Sequence, residues 1–280
     1  MRIIRENIGN KALVTDTVNT LSGSDFPRIP PGYGVIAVLL GLSSAGFTLA
    51  NLSRFRLRAG EFTAYDIQPG VSPLYFLDWI ARFGENRAGT MATTSTTLIL
   101  PCNMIDRYDD ASQDRCQLPR GRDLSLDLAI IGTPTAPTVK VGLVLSNQTP
   151  EFAPQLLGYA LGVAASTPNG QANRAPTNGI LRGFGMPLQN AAPGNAANWS
   201  KLTINHSKQG DLVSAVSPFG FMSAQRMDNI FLDTSVIWHE IGDDNGIPTG
   251  PNDLTVTLDS GTTTLNAVEA AIWQLVPMAA

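Results

Sequence analysis

Residues 50–57 read Ala-Asn-Leu-Ser-Arg-Phe-Arg-Leu, and residues 197–204 read Ala-Asn-Trp-Ser-Lys-Leu-Thr-Ile. In both stretches polar and apolar side chains alternate, which is typical of a β-strand with one buried face. Each stretch is followed by a polar break that contains a glycine, Gly60 or Gly210, and then by a short apolar segment. The sequence therefore predicts a strand, a turn and a returning strand twice.

A second pair of similar stretches lies further along each half of the chain. Residues 119–126 read Pro-Arg-Gly-Arg-Asp-Leu-Ser-Leu, and residues 248–256 read Pro-Thr-Gly-Pro-Asn-Asp-Leu-Thr-Val. After each of them the chain turns and enters a last apolar run, at 139–145 and at 268–276. Because the order of signals is the same in both halves, we predict two similar β-domains in tandem.

The length and composition agree with this division. A chain of 280 residues is comfortable for two domains. Its 26 glycines, 19 prolines and charged fraction of only 15% favour many turns and short strands over long helices, hence an all-β fold. We predict an N-terminal arm at 1–32 with partners outside its own domain, a first domain at 33–147, a linker at 148–179 and a second domain at 180–280.

Apolar runs and alternating segments place the individual elements. A short helix is predicted at 72–83, with Ser72 as its cap, and another after Pro218. The linker carries a weak apolar piece at 156–165, which we interpret as one added strand. The other predicted strands lie at 35–42, 53–58, 61–67, 93–100, 124–128, 139–145, 181–188, 200–204, 229–238, 254–258 and 267–276.

The charge pattern argues against a protein that coats nucleic acid. The net charge is −4, and the chain has no basic run of the kind that binds phosphate backbones. Residues 1–6 lack the continuous apolar core of a signal peptide, and the longest apolar run, 35–42, is far too short to span a bilayer. We expect a soluble protein made in a host cytoplasm, without sequence-specific contacts to nucleic acid.

Cys102 and Cys116 are the two cysteines of the chain, too few for a disulfide framework or a four-cysteine zinc site. They flank one acidic loop. Two free thiols in a reducing compartment are the expected state, with a disulfide across the loop as the alternative.

Histidine chemistry is limited to His206 and His239. The stretch His-Glu-Ile-Gly-Asp at 239–243 begins like a zinc-protease helix, but it lacks the second histidine and lies beside a predicted strand and turn. The glycines of Gly-Phe-Gly at 183–185 lack the strand, turn and helix context of a phosphate loop, and we expect them to ease packing.

Acidic side chains cluster in two places, and both are candidate Ca²⁺ ligands through oxygen. One is a loop at 106–114, and the other is the Asp-Asp turn at 243–244. Neither follows the spacing of a known calcium loop, so we expect solvated loop charge instead. The acidic residues of the loop are Asp106, Asp109, Asp110 and Asp114.

Two further kinds of site are open to a β-protein. A pair of carboxylates for glycoside hydrolysis would serve a β-sandwich, but nothing in the sequence selects two from the 23 acidic residues. The tryptophans could form a sugar platform, yet all lie within predicted elements, where core packing is commoner. These are Trp79, Trp199, Trp238 and Trp273. We therefore predict no enzyme, no catalytic, cofactor-binding or metal-binding residues, and no cofactor, with Ca²⁺ as the alternative.

The order of these signals resembles a known family. Ile-Pro-Pro-Gly at 29–32 leads into an apolar strand, then come the strand at 52–57, the turn at Gly60, the short helix and Asp-Leu-Ser-Leu-Asp-Leu at 123–128, and the plan repeats. This pattern is similar to the double jelly-roll major capsid proteins of tailless icosahedral bacteriophages with an internal membrane, corticovirus-like or like the lipid-containing Flavobacterium phage. The likeness covers roughly 29–147 and 180–277.

The resemblance implies two tandem jelly-roll β-sandwich domains and a structural role. Three chains would form a pseudo-hexameric homotrimer, and these capsomers would tile an icosahedral virion shell around a lipid membrane, beside penton and minor capsid proteins. The arm at 1–32 would reach that membrane, with Arg2 and Arg5 facing anionic lipid heads.

Two alternatives remain open at this point. The first is a carbohydrate-active protein of two jelly rolls, such as a glycan amidase or a lectin, which would need an exposed acidic and aromatic cleft and usually export. The second is a minor capsid or spike protein of the same class of virus, which copy number in purified particles would distinguish.

Overall fold

The chain is described by a computed structural model over residues 1–67, 96–102, 113–161, 171–187, 201–215, 236–240, 246–259 and 268–278. Across these ranges it consists of strands and loops, and its helices are three single 3-10 turns. It divides into two compact units, residues 1–156 with 275–280, and residues 157–274. The predicted all-β class is confirmed.

The first unit contains two sheets. One has the strand order β1-β9-β4-β7, with β2 also paired to β9, and the other includes the order β6-β5-β8-β3. The strands are β1 Arg2–Glu6, β2 Lys11–Ala12, β3 Val18–Ser22, β4 Gly34–Ser43, β5 Leu52–Ala59, β6 Phe62–Ile67, β7 Thr97–Pro101, β8 Leu124–Ile130, β9 Thr138–Ser146 and β10 Phe152–Leu161. β10 begins in this unit and ends in the second.

The second unit also contains two sets of paired strands. One includes the order β15-β12-β18, with β16 also paired to β12, and the other has the order β11-β17-β13-β14. The strands are β11 Gln171–Arg174, β12 Gly179–Pro187, β13 Lys201–His206, β14 Gly210–Ala215, β15 Val236–Glu240, β16 Ile247–Thr249, β17 Leu254–Asp259 and β18 Val268–Pro277. β18 begins in this unit, and its last residues belong to the first.

The hydrophobic pattern explains where the core of the first unit lies. In β8 the side chains of Leu124, Leu126, Leu128 and Ile130 are buried, and those between them are half-exposed, so one face of the strand points inward. β4 is a continuous apolar run, and most of its residues are buried. Burial of these side chains supplies the main driving force that holds the two sheets of the unit together.

Each unit contains four paired strands in the same order, β3-β8-β5-β6 at one end of a nine-stranded sheet in the first and β11-β17-β13-β14 as a four-stranded sheet in the second. The buried pairs between the two central strands coincide when the repeated stretches are aligned. Leu57 lies opposite Leu126 in the first unit, and Ile204 lies opposite Val256 in the second. The next inward pairs are Phe55 with Leu128 and Leu202 with Leu258. The two sheets therefore have the same register as well as the same order.

Smaller backbone features repeat as well. The pairing between β5 and β6 shifts after Leu57, and the pairing between β13 and β14 shifts after Ile204, which is the aligned position. Such a bulge increases the local twist of a strand. Its occurrence at aligned positions is a further sign that the two units share one backbone arrangement. At the following turn the Gly60 N–H donates to the Asp123 carbonyl at 2.9 Å, and the Ser207 N–H donates to the Asp253 carbonyl at 2.8 Å.

Most of the predicted strands that fall in described residues are found, but the start of the chain differs from expectation. Within the range predicted as an arm, 1–32, three strands pair with β8 and β9 of the first unit. The predicted linker holds β11 in addition to β10, the strand expected from its apolar piece. The two predicted helices and the turn at 243–244 lie outside the described residues, and the domain bounds stay a prediction.

Candidate assembly surface

The outward side of β5 carries three arginines in a row, Arg54, Arg56 and Arg58, which we call the arginine row. Alternation places them there, because Phe55 and Leu57 between them point into the core. Although they lie on an outer sheet face, only 26%, 31% and 36% of these side chains is exposed, respectively. The chain thus displays a dense cationic strip on one face of its first unit.

Two aspartates partly neutralise the arginine row. Arg56 donates a hydrogen bond to Asp66 on β6, and Arg54 lies 3.9 Å from the same carboxylate. Arg58 forms an ion pair of 3.2 Å with Asp127 on β8. The hydrogen bond to Asp66 raises the pKa of Arg56 above its usual value, so this guanidinium stays charged. Three cations face two carboxylates, which leaves one positive charge in excess.

Several polar atoms of the arginine row have no hydrogen-bond partner. Among the described residues, the Nε atoms of all three arginines and Oδ1 of Asp66 are buried without one. A buried donor without a partner costs free energy, on the order of 1–3 kcal/mol in proteins.

The aligned face of the second unit has a different character. The positions of the three arginines are taken by Lys201, Thr203 and Asn205 on β13. Asp127 aligns with Thr257 on β17. The two units thus share their backbone register but present unlike outer faces, one rich in charge and one mostly neutral.

The first unit also exposes an apolar patch beside β3, the last strand of its sheet. Val14, Val18 and Ile131 are 61%, 52% and 45% exposed. They lie close together in the fold, because Val18 pairs with Ala129 and the Asp16 N–H donates to the Ile130 carbonyl at 3.0 Å. An exposed strand edge with apolar neighbours is typical of a contact surface.

The first strand is held to the unit by charge. The guanidinium of Arg2 donates from Nε to both carboxylate oxygens of Asp114, each at 3.0 Å. Lys140 pairs with Glu6 at 2.7 Å. Arg2, which the resemblance placed at lipid heads, therefore has a carboxylate partner within its own unit. Arg5, the other arginine so placed, is exposed.

The acidic loop is only partly within the described residues, since Asp106, Asp109 and Asp110 lie outside them. The expectation of solvated charge is wrong for Asp114, which is 4% exposed and bound by Arg2. The sequence could not show this pairing, because the two residues are far apart along the chain.

The cysteines flanking that loop are free thiols, and both are buried. Burial raises the pKa of Cys102 well above its usual value, which keeps its thiol protonated and unreactive. Burial also raises the pKa of the neighbouring Tyr65, whose hydroxyl donates to the Pro101 carbonyl. The expected free state of the thiols is confirmed, and these groups belong to the core.

The two histidines lie on different strands of the second unit. His206 is buried, accepts a hydrogen bond at Nδ1 from the Lys208 N–H at 3.3 Å, and has Nε2 3.3 Å from the Pro248 carbonyl. Both ring nitrogens are thus occupied by backbone. The backbone of His239 pairs with Phe184, between the two glycines of the 183–185 stretch. These glycines lie within strand β12.

Two of the four tryptophans, Trp238 and Trp273, lie in described residues. Trp273 is buried, with the guanidinium of Arg182 6.0 Å from the centre of its ring. This is core packing, as expected. Trp238 lies in β15, and Trp79 and Trp199 are outside the described residues.

Neither a metal-binding cluster nor a membrane-spanning helix is found in the described residues. Among those residues no group of three or more His, Cys, Asp or Glu side chains is placed to hold a metal ion. No helix in that part of the chain is long and apolar enough to cross a membrane.

By sequence, no family model and no curated protein matches the chain. Comparison of structures gave clear matches. The major capsid protein P2 of bacteriophage PM2 matches with a TM-score of 0.70 and 11% identity, over 100% of this chain and 98% of that one. The chain has the double jelly-roll fold.

A second capsid protein supports this double jelly-roll assignment. The STIV major capsid protein, from Sulfolobus turreted icosahedral virus, matches with a TM-score of 0.63 and 8% identity, over 98% of this chain and 96% of that one. PNGase F of Flavobacterium meningosepticum, a glycosylasparaginase, also matches, but its TM-score of 0.38 is too low to carry an argument for the amidase alternative. The resemblance predicted from the order of strands is confirmed for the fold.

Proposed function

We propose that the chain is a major capsid protein that assembles as a homotrimer. The proposal is carried by one observation, the repetition of four paired strands in the same register with unlike outer faces. Three chains would then provide six similar units around a threefold axis, which approximates a hexagon. Because the arginine row is present in one unit only, alternate faces of that ring would differ, and each contact can select its proper neighbour.

The remaining parts of the proposal concern neighbours of the trimer. Trimers would tile an icosahedral shell and contact other trimers, penton proteins and minor capsid proteins. The apolar patch of Val14, Val18 and Ile131 is suited to one of these contacts. The shell would enclose a lipid membrane, with Arg5 as the arginine near the chain start that is available to anionic headgroups. In this role the chain needs no catalytic residue and no cofactor, and it resides in the virion after synthesis in the host cytoplasm.

The test is a mass measurement by light scattering on the purified protein after size exclusion. We expect three times the 29.8 kDa of one chain, and particles of hexagonal outline in negative stain. A protein that stays monomeric at high concentration would contradict the proposal. Val18→Asp in the apolar patch tests the contacts between trimers, because it should block larger assemblies without splitting the trimer. Ala172→Asp, at an exposed position of the aligned end strand β11 in the second unit, is the matched control.

A further inference from the structure

A cavity of about 440 Å³ lies at the start of β4 in the first unit. Two loops line it, residues 29–35 and residues 118–124. Its volume is within the range of small-molecule sites, roughly 300–1,000 Å³. Turns with a defined backbone conformation hold both loops in place.

Turn chemistry fixes the first wall. Pro30 and Pro31 precede Gly32, which has φ of 81°, and the Tyr33 N–H donates to the Pro30 carbonyl at 3.2 Å. Proline followed by a glycine with positive φ is the signature of a type II turn. In the second wall Gly121 has φ of 67°, between two arginines. The cavity is therefore shaped before any ligand arrives.

Arg120 lines the cavity and is anchored by neutral acceptors. Its guanidinium donates to Gln117 Oε1 at 3.1 and 3.0 Å, to the Ser146 carbonyl at 3.4 Å and to the Gln148 carbonyl. None of these groups carries a negative charge. Burial lowers the pKa of Arg120 from its usual value.

Glycine at position 34 makes this anchoring possible. A Cβ atom there would stand 1.9 Å from Gln117 Oε1 and 2.9 Å from Arg120 Nε. Only a residue without a side chain lets the Gln117–Arg120 pair lie against the strand. The missing side chain at Gly34 therefore lets Gln117 hold the Arg120 guanidinium in one position.

Arg122 supplies a second cation to the same cavity. Its aliphatic stem packs over Gly60, where a Cβ would come within 3.3 Å of its Cδ. Its guanidinium makes no hydrogen bond or ion pair with the residues that the structure describes. Asp123 is the single carboxylate among the residues that line the cavity, so the arginines outnumber it.

The second unit shows that its version of the loop folds without these arginines. In the aligned stretch 248–256, Thr249 takes the place of Arg120 and donates to the Gly179 carbonyl at 3.0 Å. Asp253 accepts hydrogen bonds from Gly250 and Ser207. Because the loop forms without an arginine there, the two arginines of the first unit are not required by the turn.

We propose that this cavity binds a phosphate group between the guanidinium groups of Arg120 and Arg122. A phosphate offers more acceptor oxygens than a carboxylate. Nε and Nη2 of Arg120 are used by its anchors, so Arg120 offers Nη1 to the phosphate and Arg122 offers its whole guanidinium, and the two cations match the charge of the phosphate. The volume leaves room for the alcohol part of a phosphate ester beside Tyr33 and the prolines. The ester can come from a soluble metabolite or from a lipid headgroup.

The test titrates inorganic phosphate into the full-length protein by calorimetry at constant ionic strength. We expect saturable binding, weakened about tenfold or more by Arg122→Gln, since a hydrogen bond to a charged group is lost. Arg174→Gln is the matched control, because Arg174 is an exposed arginine of the second unit that pairs with neutral Asn252, and it should bind phosphate as the wild type does. Arg122 loses no hydrogen bond or ion pair with the described residues, so we expect the variant to keep the fold, which circular dichroism checks.

A second arm distinguishes the source of the phosphate. Vesicles containing phosphatidic acid are compared with pure phosphatidylcholine vesicles by co-sedimentation of wild type and Arg122→Gln. Binding of free phosphate together with Arg122-dependent sedimentation identifies a lipid ligand, and free phosphate binding alone identifies a soluble ester. Absence of saturable phosphate binding, or equal binding by wild type and Arg122→Gln, overturns the proposal. Neither result bears on trimer mass, which tests the capsid role separately.

Discussion

The two units of the chain use the same internal arrangement and differ on the outside. Their central strands pair in one register, share a bulge and repeat a turn hydrogen bond, yet one exposes an arginine row and the other threonine and asparagine. The core must keep its volume and hydrophobic character, because cavities and buried polar groups are costly. Residues on the outer faces do not have to fill a core, so their identity can vary between the units. We therefore attribute the similar buried residues of the two units to their common fold, and the different outer residues to the different surroundings of each face.

The largest effect is expected from the aligned core positions. Leu57→Ala in the first unit and Ile204→Ala in the second should each lower the free energy of unfolding by about 2–5 kcal/mol, since both residues are fully buried. Urea denaturation of the two variants measures this. Comparable losses would support equivalence, whereas a loss at one site only would show that the units are packed differently. Thr203→Ala, at a half-buried position on the outer side of β13, is a control for handling effects.

A smaller effect should separate the outer faces. Asp66→Ala removes the carboxylate that faces Arg54 and Arg56, and we expect a loss of about 1–3 kcal/mol in the free energy of unfolding because two guanidinium groups lose their acceptor. Asp211→Ala in the second unit breaks only an exposed hydrogen bond to Asn205 and should stay within about 0.5 kcal/mol. Equal effects would mean that the arginine row is an ordinary solvated surface.

The smallest expected effect concerns the turns. Hydrogen bonds from Ser207 and Gly250 lower the pKa of Asp253 below its usual 3.8. Because the folded state holds the proton less tightly, the stabilisation is complete above pH 3.8 and is lost as pH falls through the lowered value. Asp253→Asn should therefore be slightly less stable at neutral pH and less sensitive to acid. Acid titrations of the two proteins, followed by circular dichroism, measure this. If both unfold at the same pH and over the same range, the expectation is wrong.

The central strands could be predicted from sequence because each has a buried face that imposes an alternating or continuous apolar pattern. β8 is the clearest case, with Leu and Ile at every second position. β1 and β3 could not be predicted in this way, since both are mostly exposed and lack such a period. Their positions depend on partners more than 100 residues away, as the pairs of Arg2 with Ser146 and Val18 with Ala129 show.

The candidate surfaces were only partly visible in the sequence. Alternation in residues 53–58 already predicted that the arginines share the outer side of a strand. Their neutralisation by Asp66 and Asp127 depends on sheet register, which the chain reveals only when folded. Arg120 and Arg122 stood within one of the repeated stretches. The signal was available there, in the two positions where that stretch departs most from its counterpart.

The chain path has a consequence for biosynthesis. Residues 275–280 belong to the first unit, and the Met278 N–H donates to the Glu151 carbonyl at 3.0 Å. A ribosome delivers these residues only after the whole of 157–274, long after the other parts of that unit have emerged. The first unit can therefore reach its final form only once the second unit has been made.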